Sequence, residues 1–211
     1  MAKNFESGER VDSPASGVPF TDVSTFTIAY WINLDADQAA ENRPFRCGDG
    51  ANSLTNGFQA AGRTLQWVDE GIAWRGSGVL LTAGVWAYIL WYRSAGGNVF
   101  LEKDGVAVEN FGIGPSAISG SVHFGGTESP NDFDGSMAEV AIWQAVLSAA
   151  ERAALAAGAT PMLVRPGDLK MYVPAYGPAN DEGGQFVGGT WPATGTLSQV
   201  NHPPVGPPIL P

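Results

Sequence analysis

The chain has 211 residues, of which 44% are hydrophobic and 15% charged, and its formal net charge is -10. That length holds one large β domain or two small ones, the apolar fraction excludes global disorder, and the negative field argues against nucleic acid or an anionic membrane as partner. The 28 glycines, 15 prolines and 7 tryptophans favour an all-β architecture with many turns and large aromatic core pieces.

The N-terminal stretch MAKNFESGERVDS has no apolar core, so no secretory signal is expected. A single cysteine, Cys47, excludes an intrachain disulfide and fits synthesis in a cytoplasm. Thr25 to Asp35, TFTIAYWINLD, alternates: Phe26, Ile28, Tyr30, Ile32 and Leu34 share one face, and Thr27, Ala29 and Trp31 the other. Period two with aromatic and β-branched residues predicts a strand, and Trp31 predicts that its second face is also covered. VWAYILWYR, Val85 to Arg93, is apolar almost throughout; its length and flanking glycines favour a buried strand. In VFLEKDGVAVEN, Asp104-Gly105 separates two β-like runs and predicts a hairpin, because both central residues of such a turn need positive φ. SVHFGG reads as another short strand.

GSMAEVAIWQAVL reads as a further strand, with Met137, Glu139, Ala141 and Trp143 on one face and Ala138, Val140, Ile142 and Gln144 on the other. A helix follows. Ser148 and Glu151 fit a capping box, AAERAALAA has high helix propensity, and Gly158 suits a left-handed cap. From 161 to 211 the composition changes: ten of the 15 prolines lie there, and no Lys or Arg follows Lys170. LKMYVPAYG predicts one more strand, which Pro174 confines to an edge or an end. The final NHPPVGPPILP predicts an extended, polyproline-like tail. The organisation expected is a sandwich over residues 1–160 and a C-terminal extension over 161–211, partly packed on it.

Little in this pattern carries chemistry. His123 sits within a predicted strand, and His202 in the proline-rich tail. Cys47 reads as a small buried thiol. Glu102 and Asp104 have the parity for a paired acid and base, but Asp104 is used by its turn. Glu139, amid apolar residues, reads as a hydrogen-bonded or solvent-facing glutamate rather than a catalytic acid. No catalytic residue and no resident cofactor is therefore expected. Glu128, Asn131, Asp132 and Asp134 form an oxygen-rich loop; oxygen ligands suit calcium, but the pattern lacks the EF-hand order and Asn/Asp/Gly loops are mostly plain turns, so a turn is expected ahead of a calcium site. Trp67, Trp74 and Trp191 lie near glycines and turns and are the candidates for an exposed sugar platform, against the alternative of core packing.

Three stretches in order, FTIAYWINLD, VWAYILWYRSAGGNVFLEKDGVAV and FDGSMAEVAIWQAVLSAAERAALAAG, resemble a laminin-G-like domain of the concanavalin A-like lectin/glucanase superfamily. Phe26, Trp31, Trp86, Asp104-Gly105, Phe133-Asp134-Gly135, Glu139 and Trp143 carry the match, over about residues 10–158. The resemblance implies an all-β jelly-roll sandwich of two antiparallel sheets with one short α-helix. The Glu-x-Asp-x-x-Glu strand motif of the superfamily's hydrolases is absent. The segments Leu163-Val164-Arg165-Pro166, Gly188-Gly189 and His202-Pro203-Pro204 resemble the C-terminal part of laminin-G-like proteins of tailed phages.

These resemblances together imply a non-enzymatic bacteriophage virion protein, most simply one that decorates the capsid, with weak glycan binding. The alternative is a lectin-like adhesion module on a tail or fibre. The implied partners are the major capsid protein or other virion proteins, further copies of the chain in a homo-oligomer, and host-surface glycans; neither nucleic acid nor a membrane is expected. The tail residues His202, Pro203, Pro204, Pro207 and Pro208 are the expected partner contacts. Such a tail is already restricted when free and loses less entropy on docking.

Overall fold

The computed structural model describes residues 2–6, 9–12, 24–39, 41–48, 53–69, 73–110, 121–126, 133–174, 193–194 and 198–201. In chain order its strands are β1 (Ala2–Phe5), β2 (Arg10–Asp12), β3 (Phe26–Leu34), β4 (Asn42–Cys47), β5 (Leu54–Phe58), β6 (Thr64–Asp69), β7 (Ala73–Leu80), β8 (Ala87–Arg93), β9 (Val99–Lys103), β10 (Val106–Asn110), β11 (Val122–Phe124) and β12 (Gly135–Trp143). Helix α1 (Ala149–Ala156) follows, then a 3-10 turn at Pro161–Leu163, β13 (Leu169–Val173), β14 (Ala193–Thr194) and β15 (Ser198–Val200).

Two antiparallel sheets result. The first runs β10-β9-β8-β3-β12-β1-β15, with β13 also pairing β12; the second runs β14-β2-β11-β4-β5-β6-β7. This is the expected all-β sandwich of two sheets with one short helix. Its core lies between the sheets and is rich in aromatic rings. Tyr30 of the first sheet stacks on Phe45 of the second with centroids 5.6 Å apart. Phe5 meets Phe124 edge-on at 6.1 Å. A second apolar layer covers the outer face of the first sheet: Ala29, Trp31, Leu90, Ala138 and Trp143 pack with Leu147, Leu155 and Val164. Both faces of β3 are thus covered, as Trp31 predicts.

The hairpin at Asp104-Gly105 has φ of 52° and 77°, as its sequence requires. The Asp104 carboxylate also accepts the Tyr88 backbone N–H at 2.8 Å, which ties the turn to β8. Helix α1 carries the predicted capping box. Ser148 accepts from the Glu151 N–H, and the Glu151 carboxylate accepts from the Ser148 N–H. Beyond its end Gly158 has φ of 93°. Ser148→Ala leaves a helix N–H unsatisfied and is expected to cost about 1 kcal/mol, read as a lower urea midpoint. Glu151 also accepts from Arg165 at 2.7 Å, which staples the helix to the segment before β13. Among the described residues, no helix is long and apolar enough to cross a membrane.

One strand departs from its predicted parity. In β12 the register against β3 shifts between Ala138 and Ala141, and Glu139 takes a left-handed φ of 54°. The extra residue of this bulge flips the alternation. Met137, Val140 and Ile142 face the inter-sheet core, while Ala138, Ala141 and Trp143 lie under the helix. Glu139 does not share a face with Met137 as the simple alternation predicts. Its carboxylate is buried and accepts the Tyr172 hydroxyl at 2.6 Å, and its N–H donates to the Pro174 carbonyl at 3.2 Å.

Strands from both ends of the chain meet. β15 pairs β1, with Gln199 opposite Lys3, and β14 pairs β2, with Ala193 opposite Val11. On the opposite side, the β7 and β10 edges are stitched by side chains. The Gly78 N–H donates to the Glu109 carboxylate at 3.0 Å, and the Lys103 ammonium donates to the Leu80 carbonyl at 3.1 Å.

Candidate functional site

The outer face of the second sheet collects polar and aromatic side chains in register. In β2, Val11 points to the core, so Arg10 and Asp12 point away. In β11, Val122 and Phe124 are core residues, which turns His123 outward. In β4, Phe45 and Cys47 flank Arg46; in β5, Leu54 and Phe58 are core, so Thr55 and Gly57 face outward. Pairing aligns these positions across the sheet. Asp12 lies opposite His123, His123 opposite Arg46, Arg46 opposite Thr55, Thr55 opposite Val68, and Val68 opposite Trp74. The row crosses six strands, about 24 Å at the usual interstrand spacing.

One end of the row is an ionic group. His123 Nδ1 and Asp12 Oδ1 are 2.6 Å apart, and Arg10 Nε donates to Asp12 Oδ2 at 2.9 Å. Burial alone would raise the Asp12 pKa, but the hydrogen bonds from His123 and Arg10 outweigh it and hold the carboxyl below its ordinary value. A carboxylate depressed in the folded state stabilises fully above the unfolded pKa and ceases to do so as pH falls through the lower, folded value. The wild-type protein is therefore expected to lose more stability than Asp12→Asn between neutral pH and about pH 3, measured by urea melts at each pH.

The middle of the row is buried and polar. Arg46 is 7% exposed and Thr55 0%, and the Thr55 hydroxyl has no hydrogen-bond partner. The other end is aromatic. Trp74 is partly exposed and its indole lies over Gly57: a Cβ there would come within 2.8 Å of the ring and 2.6 Å of the Asn42 carbonyl oxygen. The glycine lets the ring lie close over the strands.

The residues singled out from the sequence fall differently. Trp74 is partly exposed, the position a platform needs. Trp67 is not: it is 0% exposed in the inter-sheet core, so it offers no platform. Its parity explains this, since Trp67 follows the core residue Leu65 by two positions. Trp191 lies outside the described residues, as do Glu128, Asn131, Asp132 and the tail residues His202, Pro203, Pro204, Pro207 and Pro208. Asp134, the described member of the proposed calcium loop, is exposed. Partial burial and the negative charges of Asp35 and Glu6 raise its pKa. Among the described residues, no three His, Cys, Asp or Glu side chains come together in a metal-binding group.

The carboxylates weighed for catalysis are engaged structurally. Glu102 accepts from Arg152 Nε at 2.9 Å, and Asp104 is held by its turn. Cys47 is buried. The sequence reading passed over Arg46, Asp12 and Thr55 and set His123 aside. Each of Arg46, Asp12 and His123 has the signal of a polar residue next to core residues, but only strand register brings them into one row.

Residues 5–151 match the model of the family described as the concanavalin A-like lectin/glucanases superfamily. No curated protein matches the sequence. Among solved structures, the chain is similar to a Bacteroides ovatus protein described as carbohydrate-binding, with a TM-score of 0.66 and 18% identity over 96% of this chain and 60% of that one. It is similar to a heptameric pentraxin from Limulus polyphemus, with a TM-score of 0.54 and 12% identity over 74% of this chain and 81% of the other. It is also similar to a domain of an extracellular arabinanase from Geobacillus stearothermophilus, solved with arabinotriose, at a TM-score of 0.50 and 14% identity over 66% and 69% of the two chains. At these identities the likenesses establish the fold.

Proposed function

Since the chain belongs to the concanavalin A-like lectin/glucanase superfamily, through a laminin-G-like domain, we propose that it is a non-enzymatic carbohydrate-binding module that holds a glycan on the outer face of its second sheet. The observation that carries this reading is the aligned row from Asp12 to Trp74. It combines an aromatic ring close over Gly57, polar side chains on four neighbouring strands from Asp12 to Thr55, and a buried hydroxyl with no partner of its own. Sugars present apolar ring faces and a rim of hydroxyls, and sites for them pair aromatic faces with placed polar groups. The row is long enough for an oligosaccharide. The Bacteroides ovatus and arabinanase structures support the same direction by their descriptions.

A glycan array followed by calorimetry on the hits, with and without calcium, tests the proposal. Saturable binding that Trp74→Ala weakens supports it; no binding to any glycan under either condition sinks it.

We place this module on a virion, most simply as a capsid decoration protein. That setting rests on the phage-like segments around Leu163–Pro166, Gly188-Gly189 and His202–Pro204. Quantitative mass spectrometry of purified virions checks it. A copy number comparable to the major capsid protein fits decoration, a few copies fit a tail or fibre, and absence removes the virion from the proposal.

A further inference from the structure

We infer that the glycan is neutral and that its anchoring sugar sits at the β6–β7 end of this face, stacked on Trp74 with its hydroxyls met by Gln66 and Thr64; the inference rests on the carbohydrate-binding reading above. This end is where the face is open. Thr64 and Leu80 are exposed and Trp74 and Gln66 partly so, whereas Arg46 and Thr55 in the middle of the row are buried.

Register gathers these side chains on the outer face. In β6, Leu65 and Trp67 are core residues, so Thr64 and Gln66 point outward; in β7, Val79 is core, so Gly78 and Leu80 point outward. Thr64 lies opposite Leu80, and Gln66 lies opposite Gly57. Trp74 belongs to β7 and its ring reaches Gly57 on β5, so the indole crosses β6 beside Gln66. Two glycines form the floor. A Cβ on Gly57 would meet the indole at 2.8 Å, and a Cβ on Gly78 would meet Gln66 Cγ at 2.6 Å and Thr64 Cγ2 at 2.9 Å. Without those carbons the indole and the Gln66 stem lie low over the strands, and together they make a shallow platform.

A flat ring beside accessible polar groups suits a pyranose, whose apolar face covers the indole while its hydroxyls reach the rim. The amide accepts from one hydroxyl and donates to the next, which requires two neighbouring free hydroxyl groups on the sugar. It has two donors and two lone pairs, so a bond within the protein leaves capacity for a ligand. Thr64 adds a hydroxyl that both donates and accepts. All four side chains are uncharged. The charges that bond the β7 backbone beside them, Lys103 at the Leu80 carbonyl and Glu109 at the Gly78 N–H, are one of each sign. The formal net charge of -10 further disfavours an anionic ligand. The class that fits is a neutral hexose oligosaccharide with free neighbouring hydroxyls.

The test is calorimetry of the full chain with cellohexaose, maltohexaose, mannohexaose and galactohexaose, each beside its O-methylated form, and with hexagalacturonate. One neutral hexaose is expected to bind about tenfold tighter than its methylated form and than hexagalacturonate, because a site built to bond a hydroxyl rejects the analogue that lacks it. Gln66→Leu is expected to weaken that hexaose about tenfold and to narrow its advantage over the methylated form, which a loss of packing alone would not do. Thr64→Val, at an exposed position, is expected to weaken it about threefold with the melting temperature unchanged, and decides the matter if Gln66→Leu does not fold. Unchanged affinity in every variant that folds, a methylated hexaose that binds as well as the free one, or tighter binding of hexagalacturonate overturns the inference. So does a failure of all four neutral hexaoses to bind. The glycan array then separates the two readings: hits on it leave the carbohydrate-binding reading standing, and an empty array removes both.

Discussion

Trp74→Ala is expected to weaken glycan binding about 30-fold, the equivalent of about 2 kcal/mol, while the melting temperature changes little. The ring is partly exposed and sits outside the inter-sheet core, so its removal leaves the packed interior intact. What is lost is the flat apolar surface over β5. Gly57→Ala supplies an independent check. The new methyl group would meet both the indole and the Asn42 carbonyl, so the ring must lift and the backbone of β4 must give way. Affinity is expected to fall although the tryptophan is still present. If both variants bind as tightly as the wild type, the glycan sits elsewhere on the molecule.

The second large effect has the opposite sign. Asn56→Leu is expected to stabilise the protein by about 1–3 kcal/mol. Asn56 lies on β5 between Leu54 and Phe58, on the face that looks into the sandwich, opposite Phe45 on one side and Trp67 on the other. It is 0% exposed, and neither its amide nitrogen nor its oxygen has a hydrogen-bond partner. An amide held this way lacks the bonds that water offers the unfolded chain, whereas leucine of similar volume gains from the same burial. For a protein of this size each kcal/mol corresponds to roughly 2–4 °C in melting temperature, which calorimetry resolves. A loss of stability instead would show that the amide is satisfied in solution by water between the sheets.

These two positions also show what could be read from the sequence and what could not. Period two alone predicted β3, with Trp31 on a covered second face. Local turn and cap chemistry predicted the Asp104-Gly105 hairpin and the Ser148–Glu151 box, because each depends on residues within a few positions of one another. Trp67 failed as a platform for a reason that was available: Leu65 and Trp67 share parity, and Leu65 belongs in a core. The β12 face assignment failed because a bulge at Glu139 inserts a residue, and nothing in MAEVAIW marks that insertion. The outward row lay partly beyond local reasoning. Its members Asp12, Arg46, Thr55, Trp74 and His123 are scattered over more than a hundred residues; successive hairpins align Arg46, Thr55 and Trp74, but only the two long-range pairings of β11, with β2 and with β4, bring Asp12 and His123 beside them.

The meeting of β1 with β15 and of β2 with β14 has a consequence for biosynthesis. Strands early in the sequence are completed by strands far along it. β1 waits for β12 on one side and for Ser198–Val200 on the other, and β2 waits for Val122–Phe124 and then Ala193–Thr194. Pairings of such sequence separation form slowly, and strand edges left open meanwhile are templates for neighbouring chains. During translation the sandwich therefore stays open along the flank where both sheets receive their final strands. It closes only after Ser198–Val200 has emerged, so the open strand edges on this flank need protection until then.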